Sequence, residues 1–187
     1  MAVAIPILIM IPISQIAFPN KSPQSIILKP EKYKKLGLLR WEDGKDHPLP
    51  QDFADMLGWS ELARKIDSVY MFMPNPDKTL ILCDNYGQAG AINYYTKKGL
   101  RAVSFNADYV NWFDLKTTYT NLIRVKEYDE TLEELKETSP YFETATMTDF
   151  IKNSYAREYK TQIFAFTGAK ININERIEKE IEEAKRY

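Results

Sequence analysis

The stretch CDNYGQAG, residues 83–90, has the residue types of a ligand-binding turn. It follows an apolar run that predicts a buried strand, and it leads into a segment that predicts a helix. Ligands of open α/β sheets bind at the carboxyl ends of strands, and helix N-termini offer free backbone N–H groups, so a small anion or a sugar could bind here. The candidate ligand residues are Asp84, Asn85, Tyr86 and Gln88. The alternative is a purely structural turn, in which Gly87 serves backbone geometry and Gly90 allows close packing of the helix on the strand.

A second group of polar and aromatic side chains follows the next predicted strand, RAVSF (residues 101–105), in the stretch SFNADYVNWF. Aromatic rings interleaved with amide and carboxylate groups suit carbohydrate, because sugar faces stack on rings while hydroxyls need both donors and acceptors. We therefore expect Asn106, Asp108 and Trp112 to lie beside the first turn, on one rim that contacts a lipid-linked sugar or a glycan acceptor. The alternative is an irregular loop whose aromatic side chains cover the end of the sheet.

The motifs of known catalytic and cofactor sites are missing from the sequence. The turn at 83–90 has two glycines where a dinucleotide-binding GxGxxG has three, and no Gly-Lys-Ser/Thr follows as in a P-loop. The single histidine, His47, cannot form a metal site alone, and there is no GxSxG nucleophile elbow. The single cysteine, Cys83, excludes an internal disulfide and a CxxC pair. We predict no catalytic residue, no metal ion and no cofactor in this chain.

Alternating strand and helix patterns position these two loops. Strands are predicted at KTLILCD, RAVSF, NLIRVKEY and TQIFAFTG, and ETATMTDF predicts a strand or a helix entrance. Amphipathic helices are predicted after Ser60, with Leu62, Ile66, Val69 and Met73 on one face, and at the C-terminus, with Ile173, Ile177, Ile181 and Ala184 on one face. The pattern predicts an α/β layered sandwich with a mostly parallel, Rossmann-like sheet flanked by helices.

The charge balance of the chain bears on which class of partner it could bind. The chain of 187 residues carries 25 Lys plus Arg against 26 Asp plus Glu, and it is 44% hydrophobic, which is typical of a globular domain. Without an excess of basic residues, the sequence argues against a nucleic-acid partner. The exception is the N-terminus, where no charged residue precedes Lys21. Residues 1–18 predict the end of a transmembrane helix that is truncated on its N-terminal side, residues 19–48 an extended connector, and residues 49–187 a single α/β domain.

Five strings in this order resemble a known family: LPQDFADMLGW (49–59), ILCDNYGQAGAINYY (81–95), VSFNADYVNWF (103–113), IKNSYAREY (151–159) and QIFAFTGAK (162–170). Together they resemble the soluble C-terminal domain of bacterial membrane glycosyltransferases, in the superfamily of dolichyl-phosphate-mannose protein mannosyltransferases and aminoarabinose transferases. The resemblance covers about residues 20–187. The sequence departs from it at Phe166-Thr167-Gly168, where many relatives have Cys-Arg before the glycine, and at Asn106-Ala107-Asp108, where relatives often have a His-Asn pair.

The resemblance implies a cellular location and a biochemical role for the chain. Members of the superfamily transfer a sugar from a polyprenyl-phosphate donor to a lipid or protein acceptor, and their α/β domain lies outside the cytoplasm after many membrane helices. It implies that this chain contacts its own upstream transmembrane domain and the bacterial inner membrane on the periplasmic side. It also implies that the catalytic acidic residues lie outside this chain, which alone would be inactive.

Two other readings of the residues stay open at this stage. The chain could be a self-contained soluble enzyme that binds a nucleotide or an S-adenosyl cofactor at the DNYGQAG turn. It could also be a binding module that recognises a glycan or a partner protein without turnover.

Overall fold

A computed structural model describes residues 4–128 and 131–186 of the chain. The helices are α1 (Ala4–Ala17), α2 (Pro23–Ile27), α3 (Glu31–Lys35), α4 (Gln51–Ala54), α5 (Trp59–Met71), α6 (Tyr86–Tyr95), α7 (Thr131–Thr138) and α8 (Ile173–Ala184). The strands are β1 (Thr79–Cys83), β2 (Ala102–Ser104), β3 (Asn121–Lys126), β4 (Phe142–Phe150) and β5 (Gln162–Ala169). Short 3₁₀ turns lie at Pro76–Lys78, Ala107–Asn111 and Ser139–Tyr141.

The five strands form one open sheet in the order β2-β1-β3-β5-β4. β1 pairs in parallel with both β2 and β3, whereas β5 is antiparallel to β3 and to β4. Four strands thus run in one direction and β5 runs against them. The predicted α/β class with flanking helices is confirmed. The parallel pairing is confined to β1, β2 and β3, so the sheet as a whole is mixed.

The two faces of the sheet are covered by different helices. Alternation along β1 sends Leu80 and Leu82 into an apolar cluster with α8, whose Ile173, Ile177 and Ile181 are buried as the periodicity predicts. Ala184 of the predicted stripe is exposed. On the other face α5 packs beside α6, and Leu62 and Ile66 of α5 are fully buried.

Two helix starts differ from the sequence-based prediction. Ser60 is predicted to cap α5, but the N-cap is Gly58, whose φ of 88° lies in the left-handed region that glycine tolerates. The position of Asp52 just after Pro50 predicts that its side chain caps a short helix, but Pro50 is the N-cap of α4 and Asp52 lies in the first turn. At this position its carboxylate still interacts favourably with the positive end of the helix dipole.

The described chain divides into two compact units, Met1–Leu57 with Asn153–Arg157, and Gly58–Lys152 with Glu158–Tyr187. The first unit has its own apolar cluster of Ile26, Tyr33, Leu39, Leu49 and Phe53. The predicted extended connector at 19–48 therefore contains two short helices, α2 and α3, and contributes to a core. The boundary between the units falls at Leu57/Gly58 instead of at 48/49.

Helix α1 exposes its apolar side chains. Leu8, Ile9, Met10, Ile11 and Ile13 are each about half exposed or more. Among residues 4–128 and 131–186, no helix combines the length and the apolarity needed to cross a membrane.

Candidate functional site

The carboxylate of Asp84, directly after β1, is held by the neighbouring strand. Its Oδ1 lies 2.6 Å from Nη2 of Arg124 and 3.0 Å from Nζ of Lys126, and its Oδ2 accepts the backbone N–H of Glu127 at 3.0 Å. All three partners lie on β3 or just past its end. Asp84 thus joins the carboxyl ends of β1 and β3, and a ligand that binds its oxygens would have to displace these contacts.

Arg124 extends the contact into an ion network. Its Nε lies 3.3 Å from Oε2 of Glu134 on α7, and Oε1 of Glu134 accepts the hydroxyl of Thr138 at 2.6 Å. The side chains of Arg124 and Glu134 are 14% and 8% exposed, so their charges are largely removed from water and need these partners. The network borders a cavity of about 320 Å³ between α7 and α8, whose floor includes Leu80, Leu82, Leu122 and Phe142.

The remaining polar groups of the turn are also used internally. Asn85 caps α6 by accepting the backbone N–H of Gln88 at 2.9 Å. The fully buried Gln88 accepts the N–H of Asp84 at 3.1 Å and donates to Oε2 of Glu158 at 2.8 Å. Tyr86, by contrast, is 57% exposed. The geometry is that of a structural turn with one exposed ring, because the side chains that suit an anion or a cofactor already have partners.

A serine links this turn to the second loop. The Ser104 hydroxyl at the end of β2 donates to the carbonyl of Asp84 at 3.1 Å, and its oxygen accepts the N–H of Asn106 at 3.1 Å. Asn106 and Asp108 have exposed side chains. The structure therefore brings Asn106 beside the Asp84 turn, as the strand order predicts.

Trp112 lies in different surroundings. Its ring packs on that of Tyr109 with centroids 4.2 Å apart, and the Tyr109 hydroxyl lies against Gly90, where an added Cβ would be 3.0 Å away. This contact gives Gly90 its role, which is to admit the second loop against α6. The Trp112 side chain, 43% exposed, lines a cleft beside Thr79 at the start of β1, whereas Asp84 follows the end of that strand.

The cleft follows from the strand register. β2 begins at Ala102, which pairs with Ile81, so Thr79 and Leu80 extend past β2 and pair with β3 alone. The resulting notch, about 330 Å³ in volume, opens between the start of β1 and the segment that returns from β2 to β3. The polar and aromatic side chains that line it include Tyr70, Asp77, Thr79, Arg101, Trp112 and Tyr119.

The cleft offers hydrogen-bonding groups with little net charge. The Thr79 side chain is 8% exposed, and its hydroxyl has no hydrogen-bond partner within the described part of the chain. Burial, and then the charge of Asp77, raise the pKa of Tyr70. Burial and the charge of Asp114 raise the pKa of Tyr119, with Arg101 opposing them. Both phenols therefore stay protonated at neutral pH and can donate hydrogen bonds.

Metal and thiol chemistry have no support in the described residues. Among residues 4–128 and 131–186, no three His, Cys, Asp or Glu side chains are grouped as a metal site requires. Cys83 is buried, and this burial raises its pKa well above the usual range of a thiol, although Arg124 opposes the shift. His47, in the other unit, stacks on Trp41 and lies 2.9 Å from the Asp43 carboxylate, so it has structural contacts within its loop.

No protein-family model, curated protein or solved structure matches the chain.

Sequence reasoning did not find Arg124, Glu134 or Thr79 as site residues. For Arg124 and Lys126 a signal exists, because two basic residues at alternate positions of a largely buried strand share one face and need partners there. Thr79 has no such signal, since its hydroxyl is notable only because the register of β2 leaves a notch beside it.

Proposed function

We propose that this chain is the membrane-proximal, extracytoplasmic domain of a glycosyltransferase that moves a sugar from a polyprenyl-phosphate donor to a lipid or protein acceptor. In this proposal the domain is accessory: it packs on the membrane part of its own protein and shapes the access of the acceptor, while the catalytic acidic residues lie elsewhere. Support comes from the five resembling strings and from the β1–α6–β2 unit, whose parallel strands and linking helix suit the Rossmann-like description.

The observation that carries the proposal is the exposed apolar surface of α1. The helix has 14 residues without a charged side chain, and its side chains from Leu8 to Ile13 are exposed all around it. A helix that is apolar on every side is stable when it is surrounded by protein or by lipid. We infer that lipid surrounds it.

The surface that follows α1 has the chemistry of a membrane boundary. Residues 18–40 contain six basic residues and one acidic residue. The exposed Lys32, Lys34 and Lys35 of α3 lie close in sequence to the exposed Leu28 and Leu36. Lysine side chains attract anionic lipid headgroups, at roughly 1 kcal/mol each near the surface, while exposed leucines can enter the interface.

A vesicle experiment tests the membrane contact. The purified chain should float with phosphatidylcholine vesicles, and more strongly when phosphatidylglycerol is added. The double variant Leu8→Asp/Ile9→Asp should lose binding to both vesicle types, because each substitution places a charge on the lipid-facing helix. Changing Lys32, Lys34 and Lys35 together to glutamine should remove the preference for anionic vesicles, a loss of at least about tenfold in affinity.

The matched control is Phe72→Asp, which places a charge on a side chain that is 89% exposed in the other unit. This variant should bind vesicles as the native chain does. Equal binding by the α1 variant, or equal loss with Phe72→Asp, would contradict the membrane contact.

The side of the membrane needs its own measurement. The resemblance implies the periplasmic side, whereas an excess of lysine and arginine next to an apolar segment is typical of the cytoplasmic side. Because Cys83 is buried, the variant Glu182→Cys carries one exposed thiol on α8. A membrane-impermeant maleimide should label it in intact cells of a bacterium whose outer membrane has been made permeable. Labelling that requires breaking the inner membrane would move the domain to the cytoplasm and refute the proposed placement.

Sugar transfer is tested in cells that carry the native gene. Mass spectrometry should show an envelope glycolipid or glycoprotein that loses one sugar when the gene is deleted, and the same loss with Leu8→Asp/Ile9→Asp. An unchanged glycan profile after deletion would refute the transferase.

A further inference from the structure

We propose that the cleft beside Thr79 is a saccharide-binding site, with the Trp112 ring as its stacking platform and the Thr79 hydroxyl as a hydrogen-bonding group. The inference rests on the proposed function for the biological role of the sugar, because it assigns acceptor or donor recognition to this cleft. The turn at Asp84, whose polar groups are engaged, is left with a structural role.

The shape of the cleft suits a small saccharide. Its volume of about 330 Å³ lies at the lower end of the range for small-molecule sites. The space exists because β2 starts two positions later than β1 in the register, and the segment that returns to β3 forms its outer wall. The backbone thus builds the cavity, so it is present before any ligand binds.

The aromatic side chains supply a face for stacking. Tyr109 packs against the Trp112 ring at a centroid distance of 4.2 Å, while Trp112 stays 43% exposed. The Tyr70 and Tyr119 rings line the same cleft. A pyranose presents C–H groups on one face, which pack on such rings, and hydroxyls around its edge, which need polar partners.

The polar side chains of the cleft offer both the hydrogen-bond donors and the acceptors that sugar hydroxyls need. Protonated Tyr70 and Tyr119 donate, the Asp77 carboxylate accepts, and the Arg101 guanidinium donates. Lys98 and Asp114 add one further charge of each sign, so the cleft has no net preference for an anion or a cation. This balance distinguishes it from a phosphate or nucleotide site, which needs an excess of donors and positive charge.

The Thr79 hydroxyl is the independent sign of a ligand. A buried hydroxyl without a partner destabilises a fold by about 1–3 kcal/mol relative to a satisfied one. Thr79 is more than nine-tenths buried and lines the cleft, yet its oxygen is unsatisfied in the described part of the chain. The oxygen itself is closed to solvent, so a saccharide hydroxyl would reach it once the Thr79 side chain rotates toward the cleft, and this contact would complete its hydrogen bonding.

NMR titration tests the site, because the three tryptophans give separate indole N–H signals. The full chain in detergent micelles is titrated with methyl α-mannopyranoside, methyl β-glucopyranoside, methyl N-acetyl-β-glucosaminide and methyl β-arabinopyranoside. At least one of the four should shift the Trp112 signal with saturation in the millimolar range, while the Trp41 and Trp59 signals stay in place. Trp112→Ala should weaken binding of that saccharide by at least about tenfold, followed by calorimetry.

Thr79→Val separates a ligand role from a structural one. The substitution removes the unsatisfied hydroxyl at nearly constant volume, so the variant should unfold at the same or higher urea concentration. It should nevertheless bind the saccharide about three- to tenfold more weakly, because one hydrogen bond is lost. The control Tyr86→Ala removes the exposed ring at the Asp84 turn and should leave binding unchanged.

Three outcomes would overturn the proposal. The first is that none of the four glycosides shifts the Trp112 indole signal. The second is that Thr79→Val binds the saccharide as tightly as the native chain does. The third is that Tyr86→Ala loses saccharide binding, which would place the site at the Asp84 turn instead. Vesicle flotation tests the proposed membrane contact independently. A lack of sugar binding would contradict the saccharide site, and a lack of vesicle binding would contradict the membrane contact.

Discussion

The contact between Asp84 and Arg124 should contribute more to the stability of the sheet than any exposed ion pair of the chain. The perturbation is a double-mutant cycle of Asp84→Asn and Arg124→Met. Each single variant leaves one largely buried charge without its nearest partner, since the Asp84 and Arg124 side chains are 15% and 14% exposed. The double variant removes both charges together.

The magnitude follows from distance and burial. Two unit charges about 3 Å apart attract with roughly 5 kcal/mol at an effective dielectric constant of about 20, and the removal of both groups from water offsets much of this. Lys126 and the Glu127 N–H continue to hold Asp84 when Arg124 is replaced, and Glu134 continues to hold Arg124 when Asp84 is replaced. We therefore expect each single variant to lose about 3 kcal/mol and the coupling energy to be about 2 kcal/mol.

Urea unfolding followed by circular dichroism measures the four free energies. The matched control is the pair Arg176 and Glu180 on α8, whose nitrogen and oxygen lie 2.9 Å apart against 2.6 Å for Arg124 and Asp84, but whose side chains are 47% and 37% exposed. An exposed pair one helical turn apart should couple by about 0.3–0.5 kcal/mol. A coupling at Asp84 and Arg124 no larger than that of the control would refute the reasoning that burial makes this contact strong.

Three further changes have defined outcomes. Burial raises the pKa of Asp149, but Lys65, the Phe150 backbone N–H and the charge of Lys152 together lower it below its ordinary 3.8. This carboxylate therefore stabilises the fold above pH 3.8, and the contribution is lost as pH falls below that value, so Asp149→Asn should flatten acid unfolding in that window. Gly90→Ala brings a Cβ to 3.0 Å from the Tyr109 hydroxyl, which opposes the roughly 1 kcal/mol that alanine gains over glycine in a helix, so the substitution should be more favourable by about 1 kcal/mol in a Tyr109→Phe background than in the native chain, as measured by urea unfolding. Cys83 should resist a maleimide in the native chain at mildly alkaline pH and react fully in urea, and rapid native labelling would contradict its burial.

The layered α/β architecture could be predicted because the local hydrophobic patterns indicate the strands and helices. The β1 run is apolar from Leu80 to Cys83 and is buried at every position, and the α5 and α8 stripes repeat at helical spacing. The direction of β5 could not be read in this way, because the hydrophobic pattern of a buried strand is the same in both directions. Frequent prolines predict an extended connector at residues 19–48, while the short helices α2 and α3 in this segment are held by tertiary contacts that no local pattern reveals.

The sequence predicts where the candidate site lies along the strands, but it does not predict which side chains pair with the site residues. The Asp84 turn does follow a central strand, yet its carboxylate is held by Arg124, which lies 40 residues further along the chain and meets it across the sheet. The strand pattern predicts Trp112 beside Asp84, because both follow strands. The loop that carries Trp112 runs back from β2 toward the start of β3, and the ring lies in the cleft beside Thr79, at the start of β1.

The order of the strands has a consequence for synthesis on the ribosome. β5 is the last strand to be made, and it lies between β3 and β4, so β4 has no partner in the sheet until β5 has left the exit tunnel. Before that moment β3 and β4 expose unpaired edges, which are templates for association with other chains. Nascent chains that end between Phe150 and Gln162 should therefore bind chaperones and aggregate, while chains that include α8 should be released as folded protein.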